Sequence, residues 1–510
     1  MAAVPRPATG SSPPAAGSPP VGSPPADGSR PAGADAPPGT APTLRSGTLG
    51  VADIIFFVVS AAAPLTIMAG VAPFAIGAGG VGAPVGYLVA GATLALFAVG
   101  FTTMGRHVRS GGAFYAYITR GLGRPAGLGA AVLALLAYNG MQIGVYGLLA
   151  TTAQDALRTL WGIDVPWPPI AVLGVIVIWY GGFRSIDFGA KVLGVLLVAE
   201  TGILMLLAGA VLLRGGAHGL ELSSFAPKNA FAPGIGGVLA FAFAAFTGFE
   251  STALYRTEAR DPKRAIPRAT YIAVGFLGLF YGFMAWVIIQ AFGTTEIMKA
   301  VAADPAGLFF TATTEYVGGW ATDAMHILIV TSVLASLLAF HNAINRYGLA
   351  LSREGVLPPV FGRIHPRLGS PYVSGLAQTV LALLVVIGFA VADADPYRQL
   401  LLWVNTPGLI GLVVLQMLAA ASVPLFFRRF RHTEGAWRTL VAPIAATALL
   451  AGALWLVVSK IELMTGAGPG VNVVLVLLVP IVFALGVALA LRLRRTRPQV
   501  YADFGADRAD

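Results

Sequence analysis

Apolar stretches about 20 residues long recur along the whole chain after residue 50, and they restrict its fold more than any other feature. An α-helix needs about 20 apolar residues to cross the hydrocarbon core of a bilayer, with its backbone N–H and C=O groups paired internally. The strict alternation of barrel strands is missing. Of the 510 residues, 56% are hydrophobic and 11% are charged, against about 45–50% and about 25% in soluble domains. The sequence therefore excludes a soluble multidomain protein and predicts an all-α integral membrane protein.

Twelve apolar spans can be placed along the chain. They cover residues 51–78, 84–104, 126–152, 166–182, 187–213, 234–256, 268–292, 321–349, 372–392, 399–425, 438–459 and 471–493. If both termini are cytoplasmic, 27 of the 33 Lys and Arg residues fall in inner segments and six in outer loops. Since cytoplasmic loops are rich in Lys and Arg, we predict twelve transmembrane helices in a bacterial plasma membrane, with both termini inside. These loops also explain the net charge of +10 without nucleic acid.

The ends of the chain differ in composition from the spans. The first 47 residues hold 12 of the 35 prolines and few large apolar side chains. Such a segment cannot bury enough apolar surface to fold. We therefore expect a disordered cytoplasmic N-terminal tail over residues 1–47, a transporter domain over 48–495, and a cytoplasmic C-terminal tail over 496–510.

The residue content excludes several kinds of site. The chain has no cysteine and six histidines, which excludes a disulfide scaffold and a thiolate metal centre, and we predict no metal and no cofactor. The sequence shows no metalloprotease motif, Ser/His dyad spacing or Asp-rich cluster, so we predict that the protein is not an enzyme. A channel would need a pore lined by repeated rings. An ion channel and a polytopic membrane enzyme remain as distant alternatives to a transporter.

Two spans contain residues that interrupt a helix. Pro64 lies midway along the first span, and proline removes a backbone hydrogen bond and clashes with the preceding turn. The sixth span reads Phe246-Thr247-Gly248-Phe249-Glu250, with a glycine and a carboxylate near membrane depth. Paired broken helices of this kind indicate a substrate site near the midplane. A proline kink and a glycine packing contact are the alternative.

Three motifs around these breaks resemble those of the amino acid–polyamine–organocation (APC) permeases. They are residues 248–251 (GFES) with 258–269 (EARDPKRAIPRA), residues 345–347 (NRY) with 352–358 (SREGVLP), and residues 111–117 (GGAFYAY) with 121–123 (GLG). Their order and the twelve spans match this superfamily over residues 48 to about 495. The resemblance implies a five-plus-five inverted repeat (LeuT-like), in which spans one to five and six to ten correspond and helices 1 and 6 are broken.

The resemblance also implies where substrate binds. In the family, the substrate carboxylate meets exposed N–H groups at the break in helix 1, and the ammonium meets carbonyls at the breaks in helices 1 and 6. Half-helix ends carry partial charges of the matching sign. Carried over to this chain, the contacts are Ala63, Pro64, Leu65, Thr66 and Ile67 in helix 1, and Phe246, Thr247 and Gly248 in helix 6. Tyr138 and Gln142 of the third span are further candidates, with interhelical hydrogen bonding as the alternative.

Two carboxylates are candidates for proton coupling or gating. Glu200 lies halfway along the fifth span, nine residues after Lys191, where many of these permeases have a lysine. Inserting an acidic residue at that depth costs about 2.5–3.5 kcal/mol, which favours a functional role. We expect Glu200 to carry a coupled proton, with a structural bond to a neighbouring helix as the alternative. Glu250 matches a family glutamate that gates or senses protonation, and it otherwise caps or bridges helices.

Together these features predict a secondary active transporter that works by alternating access. Its expected substrates are amino acids or closely related amines, carried into the cell with protons. The alternative within this class is an exchanger of amino acids or polyamines. The expected partners are a small-molecule substrate, protons and the lipid bilayer, but no nucleic acid, and the protein is either a monomer or a homodimer.

Overall fold

The computed structural model describes residues 49–108, 113–184, 190–255, 259–429 and 431–506. Three parts of the predictions lie outside these residues: the N-terminal tail, the glycine pair at 111–112 and Glu258 of the second motif. The described part of the chain is helical. Its one β-type contact is an isolated parallel bridge between Leu49 and Ala259.

The helices follow the chain in an order that resolves each predicted span into one or more segments. They are α1 Val51–Ala62, α2 Pro64–Gly70, α3 Ala72–Gly79, α4 Ala83–Gly105, α5 Ala113–Leu122, α6 Arg124–Trp161, α7 Trp167–Phe183, α8 Ala190–Arg214, α9 Pro227–Ala230, α10 Ile235–Ala245, α11 Pro262–Phe292, α12 Ile297–Ala303, α13 Leu308–Tyr316, α14 Gly319–Arg353, α15 Tyr372–Val391, α16 Leu402–Arg429, α17 Ala442–Ser459, α18 Ile461–Thr465, α19 Pro469–Thr496 and α20 Pro498–Asp503. Short 3₁₀ segments cover Gly80–Gly82, Ser223–Phe225, Phe249–Tyr255 and Pro359–Gly362, and π-helical turns cover Pro396–Leu401 and Trp437–Val441.

Eleven helical segments of the described chain are long and apolar enough to cross a membrane. A further apolar helix, α7, has 17 residues and is shorter than the others. These segments overlap the twelve predicted spans one for one. The chain is therefore a multi-pass, all-helical membrane protein, while the count of twelve crossings and the inverted repeat stay predictions.

The interior is built from α4, α6, α11, α14 and α16, which pack against one another along their lengths. The central window of α6 is 78% buried, whereas that of α19 is 17% buried. The last two long helices, α17 and α19, therefore lie at the periphery. Gly91 of α4 and Gly278 of α11 bring their backbones together, since a Cβ on Gly91 would lie 3.0 Å from the Cα of Gly278. Such close approach of small residues is the usual basis of helix packing in membranes.

The segment after α19 folds against two other elements. The ring of Phe504 stacks on Tyr115 of α5 with 5.6 Å between the ring centroids. Arg120 Nε donates to the Gly505 carbonyl at 3.0 Å, and the Gly505 N–H donates to Glu354 Oε2 at 3.3 Å. The described part of the predicted C-terminal tail, up to residue 506, is thus held at the ends of α5 and α14.

Candidate substrate site

The first predicted span breaks where Pro64 was expected to break it. Helix α1 ends at Ala62 and α2 begins at Pro64, and Ala63 between them has φ 44° and ψ 75°, in the left-handed region. The carbonyls released there are bonded to side chains. Ser336 Oγ donates to the Ala61 carbonyl at 2.9 Å, and the Tyr281 hydroxyl donates to the Ala62 carbonyl at 3.1 Å. The break is therefore held open by α14 and α11.

The sixth predicted span breaks beside the first. Helix α10 ends at Ala245, and Gly248 has φ 111°, a conformation that glycine adopts without strain. A Cβ on Gly248 would lie 3.1 Å from the Cβ of Ala61. The two breaks are thus in contact. After Gly248 the chain continues as a 3₁₀ segment and not as the α-helix that the sequence predicted to residue 256.

The carboxylate of Glu250 supports the second break from inside the protein. Its Oε1 accepts a hydrogen bond from the Tyr138 hydroxyl at 2.7 Å, and its Oε2 accepts one from the Gly248 N–H at 3.1 Å. Glu250 is fully buried and does not line the cavity described below. This geometry matches the capping and bridging alternative that the sequence left open.

The carboxylate of Glu200 lies beside the first break. Ser332 Oγ of α14 and the backbone N–H of Leu65 both donate to it. The Thr66 hydroxyl donates to Ser332 Oγ at 3.0 Å. Glu200 is 4% exposed. Two hydroxyls therefore connect this buried carboxylate to Thr66, at the start of α2.

A cavity lies between the two breaks, on the side of α3, α18 and the beginning of α16. It holds about 750 Å³ of space free of atoms, including the part that opens outwards. Its walls are mostly apolar, and none of the residues that line it is charged. The lining residues are Ala61, Ala62, Ala63, Thr66, Ile67, Val71, Phe74, Met141, Val145, Leu148, Phe241, Ala244, Ala245, Thr247, Ser336, Phe340, Leu401, Leu402, Asn405, Leu409 and Met464.

The structure brings four of the ten predicted substrate contacts to this cavity, namely Ala63, Thr66, Ile67 and Thr247. The other six lie around it without lining it. They are Pro64, Leu65, Tyr138, Gln142, Phe246 and Gly248.

Tyr138 is occupied by its bond to Glu250. Gln142 Nε2 donates to the Leu337 carbonyl at 3.5 Å and to the Tyr146 hydroxyl at 3.4 Å, which fits the interhelical alternative.

Two polar side chains of the cavity wall have no hydrogen-bond partner. Thr247 Oγ1 and Asn405 Oδ1 are both buried and unbonded, although buried polar atoms are usually paired. Both are therefore available to a bound molecule. Sequence reasoning missed Asn405, but an asparagine within an apolar span was a signal that could have found it. It also missed Ser336, which lies one helical turn after Ser332.

Comparison with known proteins gives one family match over most of the chain. The sequence model of the family described as "Amino acid permease" matches residues 49–498. An uncharacterized transporter of Mycobacterium tuberculosis is 30% identical over 151 residues, which are 30% of this chain and 32% of that protein.

Two further relatives have names that state a substrate. The low-affinity putrescine importer PlaP of Escherichia coli is 25% identical over 223 residues, which are 43% of this chain and 46% of the importer. Cationic amino acid transporter 4, vacuolar, of Arabidopsis thaliana is 24% identical over 364 residues, which are 67% of this chain and 58% of the transporter. The chain thus spans between about a third and three fifths of the length of these three relatives.

Proposed function

Because the chain belongs to the amino acid permease family, we propose that it is a secondary active transporter that carries amino acids with apolar side chains across the plasma membrane, together with protons. The observation that carries this proposal is the cavity between the two broken helices. Thr66 lines it and is joined to the buried carboxylate of Glu200 through Ser332. A substrate site and a protonatable group are therefore in direct contact.

The polarity of the cavity favours a substrate with one ammonium group. Its lining has the hydroxyls of Thr66, Thr247 and Ser336 and the amide of Asn405, and no acidic side chain. The second ammonium of a diamine would lack a carboxylate there, and burying an unpaired charge costs several kcal/mol. The aromatic and aliphatic walls, which include Phe74, Phe241 and Phe340, suit an apolar side chain.

Diamine exchange is the second candidate. It is supported by the names of the relatives, which include the putrescine importer and a cadaverine/lysine antiporter of Escherichia coli, 24% identical over 147 residues. In that mechanism, outward movement of one amine drives inward movement of another. The uncharged cavity argues against it.

Alternating access requires that one side of the site be closed while the other is open. The cavity extends from the breaks toward the end that the Lys and Arg distribution predicts to be extracellular. Toward the other end, Tyr138 is bonded to Glu250, and the Tyr115 hydroxyl donates to Glu354 Oε1 at 3.1 Å. We infer that this conformation faces outward and that these two bonds belong to the closed inner gate.

A counterflow screen tests the proposed function. Purified full-length protein is reconstituted into liposomes loaded with L-leucine, and entry of external labelled L-leucine is measured. Competition is then measured with the twenty L-amino acids, putrescine and cadaverine. We expect competition by leucine, isoleucine, valine, methionine and phenylalanine, and little by lysine or the diamines. Counterflow that responds only to lysine, putrescine or cadaverine would instead establish the exchanger.

A further inference from the structure

Thr66, Ser332 and Glu200 form a continuous chain of hydrogen bonds from the cavity wall to a buried carboxylate. The Thr66 hydroxyl donates to Ser332 Oγ at 3.0 Å, and Ser332 Oγ donates to Glu200. The three side chains are 4%, 3% and 4% exposed, in that order. They come from α2, α14 and α8, so the chain joins three helices that meet at the first break.

The surroundings of this chain contain little other charge. Helices α1, α2, α11, α13 and α14 pack against α8. Among the described residues, Tyr281 of α11 is the titratable side chain in electrostatic contact with Glu200, and its own hydroxyl is bonded to the Ala62 carbonyl. None of them forms a salt bridge with Glu200. The protonation of Glu200 is therefore felt mainly through Ser332 and the N–H of Leu65.

The direction of the chain is fixed by the charge on Glu200. A hydroxyl has one hydrogen to donate, and an ionised carboxylate only accepts. When Glu200 is ionised, Ser332 must donate to it and cannot donate to Thr66. Thr66 then donates to Ser332, as the structure shows, and offers only its lone pairs to the cavity. A substrate carboxylate at Thr66 would meet an acceptor and be repelled.

Protonation of Glu200 allows the opposite direction. The carboxyl O–H can donate to Ser332 Oγ, Ser332 can donate to Thr66 Oγ1, and the Thr66 hydrogen becomes free to point into the cavity. Each hydroxyl keeps its own hydrogen and only rotates, so no covalent bond changes except the one to the proton that Glu200 gains. The cavity wall at Thr66 thereby changes from acceptor to donor.

We propose that this hydroxyl relay couples proton binding to substrate binding: protonated Glu200 turns the Thr66 hydroxyl toward the cavity, where it donates to the carboxylate of an amino acid. Ser332 is then a positioning residue and not a substrate contact. Coupling between two sites is reciprocal, so a bound carboxylate stabilises the proton on Glu200 to the same extent. The inference rests on the proposed function and adds the specific residues that link its two ligands.

The test uses L-leucine and its amide, L-leucinamide, which keeps the ammonium and the side chain but lacks the carboxylate. Binding to purified full-length protein is measured by calorimetry from pH 5 to pH 7. For wild type, the dissociation constant for L-leucine should fall as the pH is lowered, by up to about tenfold per pH unit for one linked proton. Binding of L-leucinamide should not follow the pH in this way.

Five variants separate the relay from other effects. S332A and T66V each remove one hydroxyl and should bind L-leucine weakly, with no pH dependence. T66S keeps the hydroxyl and should keep the pH dependence. S336A removes the hydroxyl one turn farther along α14, which bonds to Ala61 and not to Glu200, and should keep the pH dependence whatever its affinity. E200Q can donate from its amide to Ser332, so its affinity should be high at every pH.

The outcomes distinguish this inference from the proposed function. Wild-type pH dependence in folded S332A or T66V would overturn the relay and leave Glu200 as the proton site. Wild-type pH dependence in E200Q would remove Glu200 itself and the proposed coupling with it. Failure of wild type to bind L-leucine at any pH would overturn both the proposed substrate class and the relay. Folding of each variant is checked by its melting temperature, and T66V provides a second disruption if S332A is unstable.

Discussion

The hydroxyl of Tyr138 donates a 2.7 Å hydrogen bond to the carboxylate of Glu250 and so ties α6 to the segment that follows the second break. Both side chains are buried, at 2% and 0% exposed. The other carboxylate oxygen accepts the Gly248 N–H, so the same group fixes the backbone of the break. A bond that links a scaffold helix to a break is suited to hold one conformation of a gate.

Replacing Tyr138 by phenylalanine should weaken that gate. The variant leaves Glu250 Oε1 buried without its partner, at a cost of about 1–3 kcal/mol. We expect a lower melting temperature and a larger share of the inward-facing form. Tyr146→Phe is the matched control, since this buried tyrosine of the same helix receives only a 3.4 Å bond from Gln142. Equal melting temperatures for the two variants would contradict a role of the Tyr138 bond in holding the gate.

Gly248 should tolerate no larger residue. Its φ of 111° strains any other residue by about 1–3 kcal/mol, and a Cβ there would press on Ala61. Gly248→Leu should therefore abolish L-leucine counterflow at normal membrane abundance. Gly275→Leu, at an exposed helical glycine with no atom near its Cβ position, should leave counterflow unchanged. Normal counterflow by Gly248→Leu would argue that the two breaks do not form the substrate site.

Asn405 should contribute to affinity through its unpaired oxygen. If Oδ1 accepts from the substrate ammonium, Asn405→Ala loses a hydrogen bond to a charged group, worth about 1.5–3 kcal/mol, and the KM for uptake should rise by about tenfold or more. Thr406→Val is the control on the same helix, because the Thr406 hydroxyl bonds to its own backbone at Leu402 and does not line the cavity. An unchanged KM in Asn405→Ala would place the ammonium elsewhere.

The segment after α19 should contribute to stability through Phe504. This side chain is 3% exposed and stacks on Tyr115. Phe504→Ala should destabilise the inner end of the protein, since truncating a buried phenylalanine costs about 3–5 kcal/mol. Melting of the purified protein measures the effect. Leu491→Ala, at a side chain 48% exposed, serves as the control and should melt like wild type.

The breaks could be predicted from the sequence because their signals are local. Pro64 and Gly248 limit the backbone at their own positions whatever surrounds them, and Glu200 stands out because a carboxylate is costly in an apolar span. The cavity wall could not be predicted in the same way. Met141, Val145 and Phe340 have the same side-chain chemistry as residues that face lipid, and only the packing of α6 and α14 assigns them to the cavity.

The details of the breaks also depend on tertiary contacts. The helical pattern predicts an α-helix up to residue 256, but the bond from Gly248 N–H to Glu250 and the left-handed glycine start a 3₁₀ segment at Phe249. The first span has a further interruption at Val71, between α2 and α3, for which the sequence has no proline or glycine at that position. Ser332 could not be recognised because its role needs the relative rotation of α8 and α14.

Accumulation driven by a pH gradient tests the central claim most directly. The protein is reconstituted into liposomes with an acidic exterior, and uptake of L-leucine against its gradient is compared with counterflow at equal pH. Wild type should accumulate L-leucine. Glu200→Gln should retain counterflow but lose accumulation, because its amide mimics the protonated carboxyl and cannot release a proton inside. Accumulation by Glu200→Gln equal to that of wild type would contradict the assignment of Glu200 as the coupling residue.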